Sequence, residues 1–306
     1  MSTVAAVIVT FNRRKLLLEC LDAVRDQQAP VGAIFLVDNA STDGSQEALA
    51  AAGWTTDQRL KIDVMPRNLG GAGGFAHGMS RAFAAGHDWI WVMDDDCLPR
   101  PDALSRLLEA EASFPREIAP QILSSRVEWT DGLVHPLNVI AVAGMDKDFM
   151  YACVARQTLS IRAATFVSLL ARRDVIARHG YPLAAYFLWL DDVEWTARVL
   201  RHERGVLVPA SVVVHRTATR GSTLDAPNAR YYLYVRNSLW MLLGSRCFSP
   251  REKCFRMLVF GYVNICWLRT RWWRPSAWFT ILRGALRGLV PPAAATPSSI
   301  AQETGR

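Results

Sequence analysis

What this 306-residue chain lacks narrows it before anything it contains. Its six cysteines (Cys20, Cys97, Cys153, Cys247, Cys254, Cys266) make no C-x-x-C pair and none of the spacings of a zinc site. Neither a structural zinc nor a disulfide framework is therefore expected. No uninterrupted apolar run reaches the roughly 18 residues of a membrane-spanning helix. The N-terminus, MSTVAAVIVTFNRR, has no basic segment ahead of its short apolar run, which argues against a secretory leader. There is no internal repeat, and low complexity is confined to residues 291–306, expected as a disordered tail. A general basic surface is missing too, although the net charge is +7. Nine Arg or Lys and a single acid, Glu252, lie between Arg246 and Pro291, while the remainder holds 26 basic and 27 acidic residues. The basicity belongs to one C-terminal segment, and no nucleic-acid partner is expected.

What is present reads as an α/β protein. VAAVIVT (4–10) and AIFLVDN (33–39) are apolar on both faces, the mark of buried parallel strands. FNRRKLLLECLDAVRDQQ between them has helical spacing, with Asn12 as its expected cap. KIDVM (61–65) reads as a short strand, 74–86 as a helix and DWIWVMD (88–94) as a fourth strand. This alternation predicts a doubly wound sheet flanked by helices. Further on, EIAPQIL and SRVEWTDGLV read as strands, and TLSIRAATFVSLLAR (158–172) as one long strand. DVEWTARVLRHE (192–203) is helical and GVLVPASVVVH (205–215) strand-like. The expected division is a catalytic domain over 1–245, a basic, Trp-rich helical segment over 246–290, and the tail.

The stretch WIWVMDDDCLPRPD sets three carboxylates side by side, with no cation following before Arg100. In an open α/β sheet, ligands collect at the carboxyl ends of the strands, where Asp38, Asn39 and Asp94–Asp96 all fall. Hard oxygen ligands clustered there suit Mg²⁺ or Mn²⁺; an acidic turn before a helix opened by Pro101 is the plain alternative. In RNLGGAGGFAHG (67–78), Gly71, Gly73 and Ala76 fit the dinucleotide pattern G-x-G-x-x-A, but Pro66 interrupts the strand that should precede it. Small residues at that helix start would let backbone amides reach a diphosphate, or simply let a helix pack on a sheet. Asp191 and Asp192 in FLWLDDVEWTAR open a helix as caps, as a base whose proton affinity an apolar wall raises, or as both. His215, at a strand end, is a hydrogen-bonded structural residue or a ligand. Arg236 lies one turn from Tyr232 in YYLYVRNSLWML, either solvated or neutralising a phosphate.

AVIVTFNR, FLVDNASTDGS, RNLGGAGGF, WVMDDD and FLWLDDVEWTAR, in this order, resemble glycosyltransferase family 2 with its GT-A fold, over about residues 4 to 240. The resemblance decides against the dinucleotide reading. NLGGAGGFAHGM with the triple aspartate is similar to bacterial galactofuranosyltransferases acting on polyprenyl-diphosphate acceptors, and nearly as similar to rhamnosyltransferases using dTDP-rhamnose. It implies an inverting, metal-dependent transfer, from UDP-galactofuranose to a lipid-linked glycan of the cell wall. By the same resemblance, Thr10, Asn12 and Asp38 meet the uridine, while Asn68, Gly70, Gly71, Asp94, Asp95 and Arg236 complete the nucleotide-sugar site. Asp94, Asp96 and His215 match the ligands of Mg²⁺ or Mn²⁺, and Asp192 matches the base. The family's usual pair is Glu-Asp, whereas this chain has Asp191-Asp192, so the base is one of these two. A non-catalytic nucleotide-binding protein on the same fold is the reading from another class.

Residues 256–290 hold Trp267, Trp272, Trp273 and Trp278 among five arginines between Arg269 and Arg287. Indole and guanidinium together suit the boundary of an anionic membrane, so this segment is expected at a membrane surface. The chain is expected to be cytoplasmic, peripheral at the inner face of the cell membrane.

Overall fold

Every residue of Val4–Thr10 is buried, as its two apolar faces require, and successive side chains feed two different cores. Val4, Ala6 and Ile8 pack with Leu17, Cys20 and Leu21, whereas Ala5, Val7 and Val9 pack with Phe75, Ala76 and Met79. The computed structural model describes residues 2–138, 140–143, 146–221, 223–290 and 292. The tail expected over 291–306 therefore lies, apart from Pro292, outside the described residues.

The first half alternates β1 (Val4–Thr10), α1 (Arg14–Arg25), β2 (Ala33–Asp38), α2 (Ser45–Ala51), β3 (Leu60–Val64), α3 (Gly70–Ala84) and β4 (Trp89–Asp94). Next come β5 (Cys97–Pro99), α4 (Ala103–Ala112), β6 (Ile122–Glu128), β7 (Ala141–Val142), α5 (Lys147–Val154), β8 (Leu159–Ala163) and β9 (Leu169–Arg172). They are followed by α6 (Arg173–His179), α7 (Asp191–Val199), β10 (Gly205–His215), α8 (Asn228–Leu239), α9 (Pro250–Arg269) and α10 (Pro275–Gly288). The strands form one mixed sheet in the order β3-β2-β1-β4-β9-β6-β10-β8-β7, with β5 also paired to β10. β3, β2, β1 and β4 run parallel, and β9 enters antiparallel between β4 and β6. The chain leaves β1 to one side and returns on the other as β4, which opens a crevice at the carboxyl ends of both. The expected α/β sheet with flanking helices is present.

Three local expectations fail, each for a tertiary reason. The run 158–172 is two strands, because β8 pairs with β10 while β9 lies between β4 and β6. The chain crosses between them at Ser168, which takes a left-handed φ of 56° and is held by hydrogen bonds from Trp91 Nε1 and to Ser125 Oγ. The two strands read over 117–134 are one, β6, running through both. Asn12 does not cap α1: its Oδ1 accepts from Thr42 N at 2.7 Å and its φ is 54°. It ties the end of β1 to the loop after β2.

The C-terminal helices pack on α8. Gly284 and Gly288 of α10 meet α8 so closely that a Cβ would stand 2.8 Å from Val235 Cβ and 2.7 Å from Leu239 Cβ. Trp267 of α9 stacks on Tyr231 of α8 at 3.9 Å. On the outer side α9 exposes Phe255, Leu258, Tyr262 and Ile265, spaced on one helical face. The α9–α10 turn and α10 expose Trp272, Trp273, Trp278, Phe279, Leu282 and Leu286. No helix among the described residues is long and apolar enough to cross a membrane.

Candidate active site

The crevice ends of β1, β2, β4 and β10 bring together most of the expected residues. Asp94 closes β4, and the chain turns at once through Asp95 and Asp96 into β5, whose Cys97 pairs with His215 at the end of β10. That hairpin-like pairing brings His215 Nε2 to 3.1 Å from Asp96 Oδ1. The ring's other nitrogen, Nδ1, faces Asn138 Oδ1 at 2.8 Å. Asn138 in turn donates Nδ2 to Thr165 Oγ1 at 2.9 Å, which fixes its oxygen towards the histidine. An amide oxygen only accepts, so the proton sits on Nδ1 and, in the neutral ring, Nε2 presents its lone pair to Asp96. With the ring neutral, the buried Asp96 Oδ1 accepts no hydrogen bond among the described residues.

Two acceptor atoms facing each other in a buried site fit a divalent cation between them, with Asn138 orienting the imidazole ligand. Asp96, Cys97 and His215 could share such an ion by proximity. Burial and the neighbouring Asp96 and Asp94 hold the Cys97 thiol well above its ordinary pKa, so an oxygen–imidazole set is the better match for Mg²⁺ or Mn²⁺.

The repulsion among the three aspartates is answered from elsewhere in the chain. Arg13, just after β1, pairs through Nη1 with Asp95 Oδ1 at 3.2 Å and with Asp96 Oδ2. Thr10 Oγ1 donates to Asp95 Oδ2 at 2.7 Å. Burial raises Asp95 to about 6 against these partners. Burial would raise Asp96 as well, but His215 in its protonated, donating form and then Arg13 outweigh it and hold that carboxyl below its usual range. Asp94 is pushed well up by burial, then by Asp96 and Asp95. Asp191, at the start of α7, adds a smaller contribution to that rise.

Asp191 is buried, and burial and then Asp192 raise its pKa well above the ordinary value. Asp192 keeps partial access to solvent and is raised by burial to about 6. Its Oδ1 accepts from Val193 N at 2.7 Å, so it also serves the helix start. The turn before the pair is strained: Phe187, Trp189 and Leu190 have φ of 63°, 70° and 66°, each costing about 1–3 kcal/mol for a side chain with a Cβ.

The glycine loop divides between packing and open positions. Gly70, at φ 71°, lies against the 187 turn, where a Cβ would stand 1.9 Å from Phe187 O. Ala72 N, in the first turn of α3, donates to that same carbonyl at 3.2 Å. Gly74 and Gly78 let α3 lie directly on β1: their Cβ atoms would come within 2.5 Å of Val9 Cγ1 and 2.4 Å of Val7 Cγ1. Gly71 is the open position, its nearest neighbour being Phe75 Cε2 at 3.9 Å. Asn68 Oδ1 accepts from Gly70 N at 2.7 Å and shapes the loop. Asp38 is buried, accepting from Ser41 N (2.8 Å) and Gln46 Nε2 (2.6 Å). Arg236, expected at a phosphate, donates instead to the carbonyls of Ala185 and Tyr186.

Sequence reasoning passed over Arg13 and Asn138, and placed Asn39 at a strand end without a role. Asn39 bridges Leu69 N and Gly70 O, joining the end of β2 to the glycine loop. Arg13 stands inside the quoted AVIVTFNR stretch and was legible there as the nearest cation to a strand end; Asn138, in an irregular segment, carries no such signal. Asn12, Arg13, Arg14, Lys15, Leu16 and Asp43 line a hollow beside this cluster.

The profile of Glycosyl transferase family 2 matches residues 5–177. Galactofuranosyltransferase GlfT1 of Mycolicibacterium smegmatis is 33% identical over 205 residues, 65% of either chain. GlfT1 of Mycobacterium tuberculosis is 32% identical over 204 residues, again 65% of each. The chain thus spans about 65% of the length of these curated relatives. Among solved structures, S. aureus TarS 1–349 in complex with UDP-GlcNAc superposes with a TM-score of 0.63 at 13% identity, covering 92% of this chain and 79% of that one. The mannosyltransferase PcManGT from Pyrobaculum calidifontis, in complex with GDP-Man and Mn²⁺, gives 0.55 at 19% identity, with 99% and 79% covered. At such identities the likeness shows the fold.

Proposed function

Because the chain belongs to glycosyl transferase family 2, we propose that it moves a sugar, with inversion, from a nucleotide-sugar donor to an acceptor hydroxyl. The observation that carries this reading is Asp96 Oδ1 facing His215 Nε2 at 3.1 Å in a buried site, with Asp191 at the start of α7 close enough to add to the rise of Asp94. Asp94, Asp96 and His215 would hold Mg²⁺ or Mn²⁺, which when bound offsets the charge gathering on the leaving diphosphate. The remaining steps belong to the chain's own groups. Thr10, Asn12 and Asp38 border the nucleotide end, and the hollow lined by Arg13, Arg14 and Lys15 supplies positive charge beside it. Gly71, open at the start of α3, leaves room for a phosphate to approach backbone. Asp192, raised to about 6 and partly accessible, accepts the acceptor's proton as its oxygen attacks the anomeric carbon.

The relatives at 32–33% identity, galactofuranosyltransferases by name, favour galactofuranose as the sugar. The resemblance of the sequence motifs adds UDP-galactofuranose as donor and a polyprenyl-diphosphate-linked glycan of cell-wall synthesis as acceptor. A lipid-linked acceptor agrees with the outer face of α9 and α10, where tryptophans and arginines stand exposed side by side. That face would rest on the inner, anionic surface of the cell membrane while the crevice takes soluble donor. The deciding experiment is a screen of nucleotide sugars, dTDP-rhamnose included, for turnover by the purified protein. Turnover of UDP-galactofuranose above the others is expected. Preference for dTDP-rhamnose would change the sugar, and binding without turnover of any would leave a nucleotide-binding protein.

A further inference from the structure

Asn237 of α8 is fully buried, and its carboxamide points at the turn that precedes the acidic pair. Nδ2 stands 3.0 Å from Tyr186 O, 2.9 Å from Leu188 O and 2.8 Å from Trp189 O. Its orientation is fixed from behind, since Arg236 Nε donates to Oδ1 at 2.9 Å. Arg236 Nη2 reaches Ala185 O at 3.1 Å and Tyr186 O at 2.8 Å, with the guanidinium seated 4.1 Å over the Trp240 ring. From α3, Ala72 N holds Phe187 O. Five consecutive carbonyls, Ala185 to Trp189, are therefore each held by a donor from α8 or α3. The same turn contains three left-handed residues that are not glycine, and such a segment relaxes unless its surroundings over-determine it.

We infer that Asn237, oriented by Arg236, is a positioning residue that holds the 185–190 turn so that Asp192 projects into the crevice. The inference rests on the reading of Asp192 as the base. Among the described residues the hydrogen bonds of the Asn237 side chain reach only Arg236 and the turn, and Ala72 N still holds Phe187 O at the glycine loop, so its loss acts on the turn rather than on donor binding. A base displaced by about 1 Å loses roughly two orders of magnitude in turnover.

The test uses the full chain with Asn237→Leu, of similar volume but without a donor, and Asn237→Asp, of the same shape with an oxygen facing the carbonyls. Both should lower kcat for transfer roughly 10- to 100-fold while the donor KM stays within about twofold. A space-filling role predicts that Asn237→Leu behaves as wild type, and wild-type kcat in that variant would overturn the inference. Should both fail to fold, Arg236→Met leaves Asn237 in place but frees its amide to rotate. A kcat loss at constant donor KM supports the clamp there, and a raised donor KM at unchanged kcat overturns it. Asp192→Asn, measured in parallel, separates the two readings. An inactive Asp192→Asn beside a fully active Asn237→Leu rejects the clamp alone, whereas an active Asp192→Asn rejects the base assignment.

Discussion

At the start of α7, burial raises Asp192 from 3.8 to about 6, and this gives it two opposite pH signatures. A carboxyl whose folded pKa exceeds its unfolded value binds more protons when folded. Its favourable contribution is present below about 3.8 and is lost as pH rises through about 6. Between these values wild type should lose stability relative to Asp192→Asn, as read by urea denaturation of both across the interval. Activity should run the other way, rising as the base ionises. Asp192→Asn should lower turnover by roughly 10² to 10⁴ with donor binding retained, and Asp191→Asn should be milder. A dead Asp191→Asn beside an active Asp192→Asn would reverse the assignment. Arg13 shows what a linear reading misses. The three aspartates have no cation near them in the chain, yet one stands against them in the fold because β1 and β4 are neighbours in the sheet. Arg13→Leu should destabilise the metal-free protein by about 1–3 kcal/mol, less than a fully buried pair costs because Arg13 is partly solvated. Adding Mn²⁺ should recover part of that loss in the same denaturation experiment. An identical loss with and without the ion would mean that Arg13 and the cation do not share the cluster.

Helix α3 shows how one element serves packing and ligand at once. Gly78 has no room for a methyl group beside Val7, so Gly78→Ala should cost about 1–3 kcal/mol of stability, measured by chemical denaturation. Gly71 has room, so Gly71→Ala should leave stability nearly unchanged and weaken nucleotide-sugar binding. Equal effects of the two on denaturation would contradict this division. Element type was legible in the sequence wherever both faces of a strand or one face of a helix are apolar, as in β1, β2, β4 and α1. It failed at 158–172, where an unbroken apolar run hides a crossover between two places in the sheet. It failed again at Asn12, whose side chain has a choice of partners that only tertiary structure decides. The acidic strand ends and the α7 pair were legible because their spacing along the chain survives folding. The clamp on the 185–190 turn was not, since α8 lies outside the local sequence that it holds.

Across the whole molecule, α8 joins the catalytic crevice to the outward face of α9 and α10. That face should bind anionic liposomes, with added salt weakening the binding. Changing Trp272, Trp273 and Trp278 together to serine should abolish liposome binding in a flotation assay while donor binding persists, since all three side chains are largely exposed. Undiminished flotation of the folded triple variant would assign the face to something other than a membrane. The central claim is that a divalent cation held by Asp96 and His215 and a base at Asp192 together carry out sugar transfer. It is tested most directly by following transfer from UDP-galactofuranose to a polyprenyl-diphosphate-linked acceptor, with Mn²⁺ and with excess chelator, for wild type and Asp96→Ala. The account predicts transfer by wild type with Mn²⁺ alone, abolished by chelation and by the substitution; full transfer by wild type in chelator would contradict it.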